Sequence, residues 1–340
     1  MGNNGETTSA DKQQVSVPAC AYGEESLFHD AIESTVASVH IFTLIRLRKL
    51  ARTGGLEEED AKELLDLPVS NARLLILAAK YADLVTRFRD KNYLEMEQDF
   101  LSGSSRPSES ATAQCYFIGD ELADEECAYI IGRDEYRKRI FLIFRGSITL
   151  TDWYQDFKLK ISKVPNPVMG VEAEQPEEVG IHLGFRNYLF GPQGSLVEAF
   201  SSMIPSMKPL TNRNENDADD EAASIDKEEK NVDANSEEPD KTKIEVVCDE
   251  LRSMKKLFPG DTIFLCGHSL GGALALITAL SVAADPILGT LPDGARRPGE
   301  TPVTCIAIGN PKPGDRAFTN AIYCLERKKK LRCCCFHNFR

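Results

Sequence analysis

The sequence predicts an α/β fold: a mostly parallel sheet with helices on both faces, preceded by N-terminal helices. Two observations carry this. From Ala128 onward, short apolar runs alternate with helical segments in the order expected of strands joined by crossover helices. Within that series, residues 262–266 read as a buried strand. Residues 273–277, small and straight-chain, read as a helix packed on it. Between them lies Gly267-His268-Ser269-Leu270-Gly271-Gly272, a tight turn. The chain has 340 residues, enough for one large domain with additions, and it shows no internal repeat.

Residues 1–25 are polar and are expected to form a disordered tail. Residues 26–110 read as a helical region. Ile32, Val36, Val39, Phe42, Thr43 and Leu47 recur at steps of three and four, and Arg46, Arg48 and Lys49 suit a helix C-terminus. Asn71 to Phe88 repeats the pattern with Leu74, Leu77, Ala78, Tyr81 and Val85 on one side. Such helices either cover one edge of a sheet or lie on a membrane surface. Residues 103–110 form a Ser/Pro-rich loop.

Residues 111–340 are expected to hold the main domain. Residues 128–131, a polar Asp134-Glu135 turn and residues 140–144 read as a hairpin feeding a buried strand. Residues 182–190 read as the start of a helix. Residues 211–243 are an acidic insertion, expected to be disordered. They have no aromatic residue and about half of the net negative charge, so they cannot bury enough apolar surface to offset ordering. This stretch is a tolerated surface loop or an electrostatic tether. Structure resumes near Ile244 with a helix to Leu257, a Pro259-Gly260 turn and the strand before Ser269. Residues 305–309 and 331–336 are two further short strands. The cations of 327–332 followed by Cys333, Cys334 and Cys335 read as a basic helix end entering a buried strand, or as a palmitoylated anchor.

The net charge of −13 excludes nucleic acid as a partner. No phosphate-binding glycine loop and no zinc-type Cys/His spacing are present, so no metal and no cofactor are expected. The first fourteen residues carry no apolar signal core, and no apolar run reaches the length that crosses a bilayer. A cytoplasmic chain is expected, with membrane association as a peripheral protein. Its ten cysteines are then reduced thiols. Met1-Gly2 opens as a myristoylation site does, but Glu6 stands where that motif needs Ser or Thr.

A serine at a strand-to-helix turn, framed by Gly267, His268 and Gly271, has the pattern of a nucleophile elbow. Side chains at the flanking positions would clash, so glycine is required there. The turn pushes the hydroxyl of Ser269 out at the carboxyl edge of the sheet. The helix start beneath supplies amide donors and a positive dipole end for a developing oxyanion. An acyl-transfer serine needs a second N–H donor from a separate loop, and Phe144-Arg145-Gly146-Ser147 after a buried strand can supply it. Arg145 itself reads as a structural ion-pair residue.

Taken together, these motifs resemble the class 3 (fungal-type) lipase family of the α/β-hydrolase superfamily. The resemblance rests on Phe144 to Ser147, Asp152-Trp153 with Asp156, His182-Leu183-Gly184-Phe185, Gly267 to Ala273, and Gly309-Asn310-Pro311-Lys312-Pro313-Gly314-Asp315 with Phe318, in family order. It covers the chain from about Gln114 onward, apart from the acidic insertion. It implies an α/β-hydrolase fold and hydrolysis of acylglycerol-type lipid esters through an acyl-enzyme on Ser269. It implies an oxyanion hole from the Leu270 and Ser147 amides, and a lid helix around Asp152 and Trp153. Trp153 is then a lid aromatic or a plain core residue. The implied partners are a lipid ester substrate and a peripheral membrane or lipid-droplet surface. Protein partners are not indicated.

The family orders its triad as Ser, Asp, His, and the Asp and His follow the strand that here is 331–336. Neither is in this sequence, so relative to the family the chain is incomplete at its C-terminus. Of the five histidines, His29 and His40 lie in the leading helices, His182 matches another family position, and His268 should point away from the hydroxyl. His337 has the right chain order as a base, with Asp285, Asp293 or Asp315 to orient it, but reads more simply as a histidine near a strand end. Three functions follow. One is a serine esterase, either whole in a longer product or lost here. Another is a catalytically dead lipase-fold protein that binds lipid or membrane without turnover. The last is a membrane adaptor using its N-terminal helices.

Overall fold

The computed structural model describes residues 44–81, 113–120, 128–146, 160–168, 175–191, 241–292 and 300–336. The elements, in chain order, begin with helix α1 over 44–52, α2 (Glu58–Leu65), β1 (Val69–Ser70), α3 (Asn71–Lys80) and β2 (Ala113–Gly119). There follow β3 (Tyr129–Asp134), β4 (Arg139–Phe144), β5 (Ile161–Pro165), β6 (Glu178–His182) and α4 (Leu183–Phe190). The chain continues with α5 (Lys243–Leu257), β7 (Thr262–His268), α6 (Leu270–Ala284), β8 (Val303–Ile308), α7 (Arg316–Arg327) and β9 (Leu331–Phe336).

Seven strands form one sheet in the order β1-β2-β3-β4-β7-β8-β9. The pairs from β4 to β9 are parallel, whereas β1, β2 and β3 enter by antiparallel pairing. β3 and β4 are the hairpin expected from the sequence, closed by a turn over 135–138. β5 and β6 form a separate two-stranded antiparallel sheet that the sequence reading does not anticipate. In consequence His182 ends a strand, and the helix starts one residue later.

The strands alternate their apolar residues between two cores. Ile140, Leu142 and Phe144 of β4, Ile263 and Leu265 of β7, and Val303, Cys305 and Ala307 of β8 pack with α4, α5, α6 and α7. Ile130, Ile143, Cys266 and Ile306 face the other way, onto Leu44, Leu47, Leu64, Leu74 and Leu77 of the N-terminal helices. Those helices therefore cover a whole face of the sheet, not only its edge. They are also pinned by charge. Asp120, at the end of β2, takes Arg48 Nε at 3.0 Å and Arg52 Nη2 at 2.7 Å, with its side chain 1% exposed.

α6 is apolar on all sides, and twelve of its fifteen residues are buried. A helix with no polar face belongs in an interior, and α6 lies against β4, β7 and β8 with α4 and α7 beside it. It ends at Asp285, whose extended backbone (ψ 132°) precedes Pro286, where helical geometry is disfavoured. α5 starts with Thr242 N–H donating to Glu245 Oε2 at 2.8 Å. Lys241 bonds Asp249, so order begins slightly before the expected end of the acidic insertion. The basic helix end and cysteine-rich strand are also present as α7 and β9.

Candidate active site

In register, Phe144 pairs with Gly267 and His268 with Ile308, so β4, β7 and β8 end at one level. The chain then turns sharply. Ser269 has φ 55° and ψ −123°, a conformation L-residues rarely adopt, and α6 begins at the next residue. Its N–H donates to Ile308 O at 2.8 Å, and its C=O accepts from Gly272 N at 3.0 Å and Ala273 N at 3.3 Å. Strand and helix thus fix both sides of the residue. This is the elbow expected from the glycine pattern.

The space around it explains the glycines. A Cβ on Gly267 would stand 2.3 Å from the Gly271 carbonyl carbon, and one on Gly271 would stand 2.4 Å from Phe144 O. Gly272 leaves no more room, because a Cβ there would meet Asn310 Cβ at 2.9 Å. The other wall is Gly146, whose Cα approaches so closely that a Cβ would be 2.8 Å from His268 O. The loop that carries Ser147 therefore leaves β4 directly beside the elbow.

Ser269 is 4% exposed. The expectation of a hydroxyl standing clear of the sheet edge is corrected: the strained turn is there, but the residue is buried. Leu270 opens α6, where a backbone N–H has no intrahelical acceptor and the dipole is positive. Ser147, Asp152, Trp153 and His337 lie outside the described residues, as do Asp156, Asp293, His29 and His40.

His268 is exposed, and its Nε2 lies 3.6 Å from where a Gly309 Cβ would be, on the flank of β7 and β8. His182 is held in β6 opposite Ile161, with its ring edge-on to Phe185 at 6.1 Å. Asp285 is removed as an orienting carboxylate by length alone. It sits at the far end of α6, about 22 Å from Ser269 by helix rise. There it binds Arg252 at 2.7 Å and caps the Ile287 and Leu288 amides. Burial pushes its carboxyl up, but those hydrogen bonds outweigh it and hold the group below the usual 3.8. Asp315 is likewise occupied. It accepts from Phe318 N at 2.9 Å as the cap of α7 and from Lys163 Nζ at 2.7 Å. Its pKa is also lowered, with burial opposing and Lys163 prevailing.

Asn310 is the residue that sequence reasoning noticed only as part of a motif. It follows Gly309, whose φ of 57° lets its N–H reach Phe336 O at 2.7 Å. Asn310 is 7% exposed and donates to Pro311 O at 3.1 Å, while its Oδ1 has no partner among the described residues. The same segment then returns to β6, where His182 N donates to Pro313 O and Ile181 bridges Gly314. No group of three or more potential metal ligands occurs among the described residues.

The family profile described as "Lipase (class 3)" matches residues 141–338. A phospholipase A1-II 2 of Oryza sativa subsp. indica is 24% identical over 228 residues, which cover 66% of this chain and 45% of that protein. Among solved structures, the Rhizomucor miehei lipase in its propeptide complex aligns at 17% identity with a TM-score of 0.35, covering 66% of this chain and 48% of that one. A triacylglycerol lipase from Penicillium expansum aligns at 18% identity with a TM-score of 0.35, covering 62% and 55%. The chain thus spans about half the length of the relatives it matches.

Proposed function

The chain belongs to the class 3 lipase family, and from that premise we propose that it hydrolyses carboxylic esters of lipids through an acyl-enzyme on Ser269. The observation that carries the proposal is the strained backbone of Ser269, φ 55° and ψ −123°, at the mouth of a fifteen-residue apolar helix. Such strain persists only where the surroundings over-determine it, and it marks functional positions. In this reading the Ser269 oxygen attacks the ester carbonyl, and the alcohol leaves as the acyl-enzyme forms. Water then attacks the acyl carbon and releases the acid. The Leu270 and Ser147 amides hold the negative oxygen of each tetrahedral intermediate. The Asp152–Trp153 segment acts as a lid. His337 has the chain order of a base but reads more simply as a histidine near a strand end.

The substrate class is an acylglycerol-type ester presented at a peripheral membrane or droplet surface on the cytoplasmic side. A second reading is favoured by the engagement of Asp285 with Arg252 and of Asp315 with Lys163. There the fold binds lipid and does not turn it over, which costs several orders of magnitude in rate but leaves the oxyanion hole in place. A fluorophosphonate probe separates the two. Labelling of the wild type and not of Ser269→Ala supports the hydrolase. An unlabelled wild type that still binds lipid supports the second reading.

A further inference from the structure

We infer that the outer face of α7, with the turn that follows it, docks on membranes rich in anionic phospholipid. The chain as a whole is acidic, at −13, yet residues 312–332 hold seven lysines and arginines against two acids. The fold sorts these charges. Phe318, Ala321, Ile322, Cys324 and Leu325 are buried, which turns Arg316, Asn320, Tyr323 and Arg327 outward at helical spacing. All four are exposed, as are Lys312 before the helix and Lys329 in the turn after it. The stripe from Arg316 to Arg327 is about 17 Å long by helix rise.

Of the two acids, Asp315 binds Lys163 and the α7 amides, and Glu326, half-buried, accepts from Cys333 N at 2.9 Å. On this face exposed cations flank one tyrosine, 47% exposed. A tyrosine flanked by cations suits the headgroup layer, where an amphipathic ring has both an apolar and a wet side. A flat, dispersed row of charges fits a surface of anionic headgroups. The start of α7 is also six residues along the chain from Asn310, the neighbour of Gly272 in the elbow. The inference rests on the proposed action at a lipid surface and names the face and the lipid charge.

The test is co-sedimentation of the full chain with vesicles of phosphatidylcholine alone and with vesicles that also hold phosphatidylserine. Binding only to the second kind, released by high salt, is expected. R316E/R327E/K329N should lower that partitioning at least about 100-fold, and the milder R316Q/R327Q/K329N about tenfold or more. Asn is used at 329 because Lys329 has φ 54°. Thermal melts check that both variants fold. Equal binding to the two vesicles overturns the inference, as does an unchanged partition in the folded variants. Binding seen only after deletion of 213–240 overturns it as well, because the acidic stretch would then be the occupant of this face. Fluorophosphonate labelling is read in parallel. A chain that binds phosphatidylserine vesicles but does not label sinks the hydrolase reading and leaves the docking face standing.

Discussion

Gly271→Ala tests the geometry of the elbow most directly. The added methyl would sit 2.4 Å from Phe144 O and 2.9 Å from Arg145 O, whereas ordinary contact begins near 3.4 Å. Both obstacles are backbone, so neither can swing aside. The start of α6 must withdraw from the end of β4 by about 1 Å, and α6 is packed on every side. Overpacking of this kind typically costs about 1–3 kcal/mol of stability. The same displacement separates Leu270 from the loop after Gly146, and a misplacement of about 1 Å typically costs about 100-fold in rate. Gly260→Ala is the control, because nothing lies within 4 Å of its Cβ position and its φ is ordinary. That change should leave labelling untouched and raise stability by about 0.4–1 kcal/mol through the unfolded chain. The assay is the rate of fluorophosphonate labelling alongside denaturant unfolding. Wild-type labelling and wild-type stability in Gly271→Ala would refute the reasoning, since the elbow would then not depend on that contact.

Three further outcomes are expected. Ser269→Gly should abolish labelling yet stabilise the fold by about 1 kcal/mol, as glycine relieves the positive φ; urea midpoints read the gain. Asp120→Ala leaves Arg48, 7% exposed, without its carboxylate and should cost about 3–5 kcal/mol, measured by chemical denaturation. Asp60, Asp285 and Asp315 all have pKa values below the usual 3.8 in the folded chain. Their contribution is complete above that value and disappears as pH falls through the folded pKa. Stability should therefore hold down to about pH 4 and drop below it. Asp285→Asn should be less stable at neutral pH and show a shallower acid loss in urea melts at stepped pH.

Much of the parallel half of the sheet was legible in the residues. β7, β8 and β9 are short apolar runs, α5 has a clear periodic face, and the elbow is flagged by three glycines around a serine. What was hidden is instructive. β5 reads Ile-Ser-Lys-Val-Pro, exposed at alternate residues and ending in proline, so it carries no buried-strand signature. β2 has a register break between Cys115 and Phe117 that disturbs its alternation. The stripe of Leu74 and Leu77 announces an apolar neighbour but cannot say that the neighbour is Ile130, Ile143 and Cys266. Asp285 could be dismissed as an orienter only once α6 proved continuous from Leu270. The burial of Ser269 and Asn310 goes with Gly146 closing on His268 O and Asn310 closing on Gly272, contacts without a local sequence mark.

The pairing of N-terminal helices with the second core has a practical corollary. A polypeptide begun at residue 111, the expected start of the main domain, would strip Cys115, Ile130, Ile143, Cys266 and Ile306 of their cover. Asp120 would lose both arginines in the same cut. The trimmed molecule would carry a sticky, water-facing β-surface and should clump on expression. Efforts to isolate the lipase-like half alone would then mistake a missing cover on the sheet for a faulty candidate site.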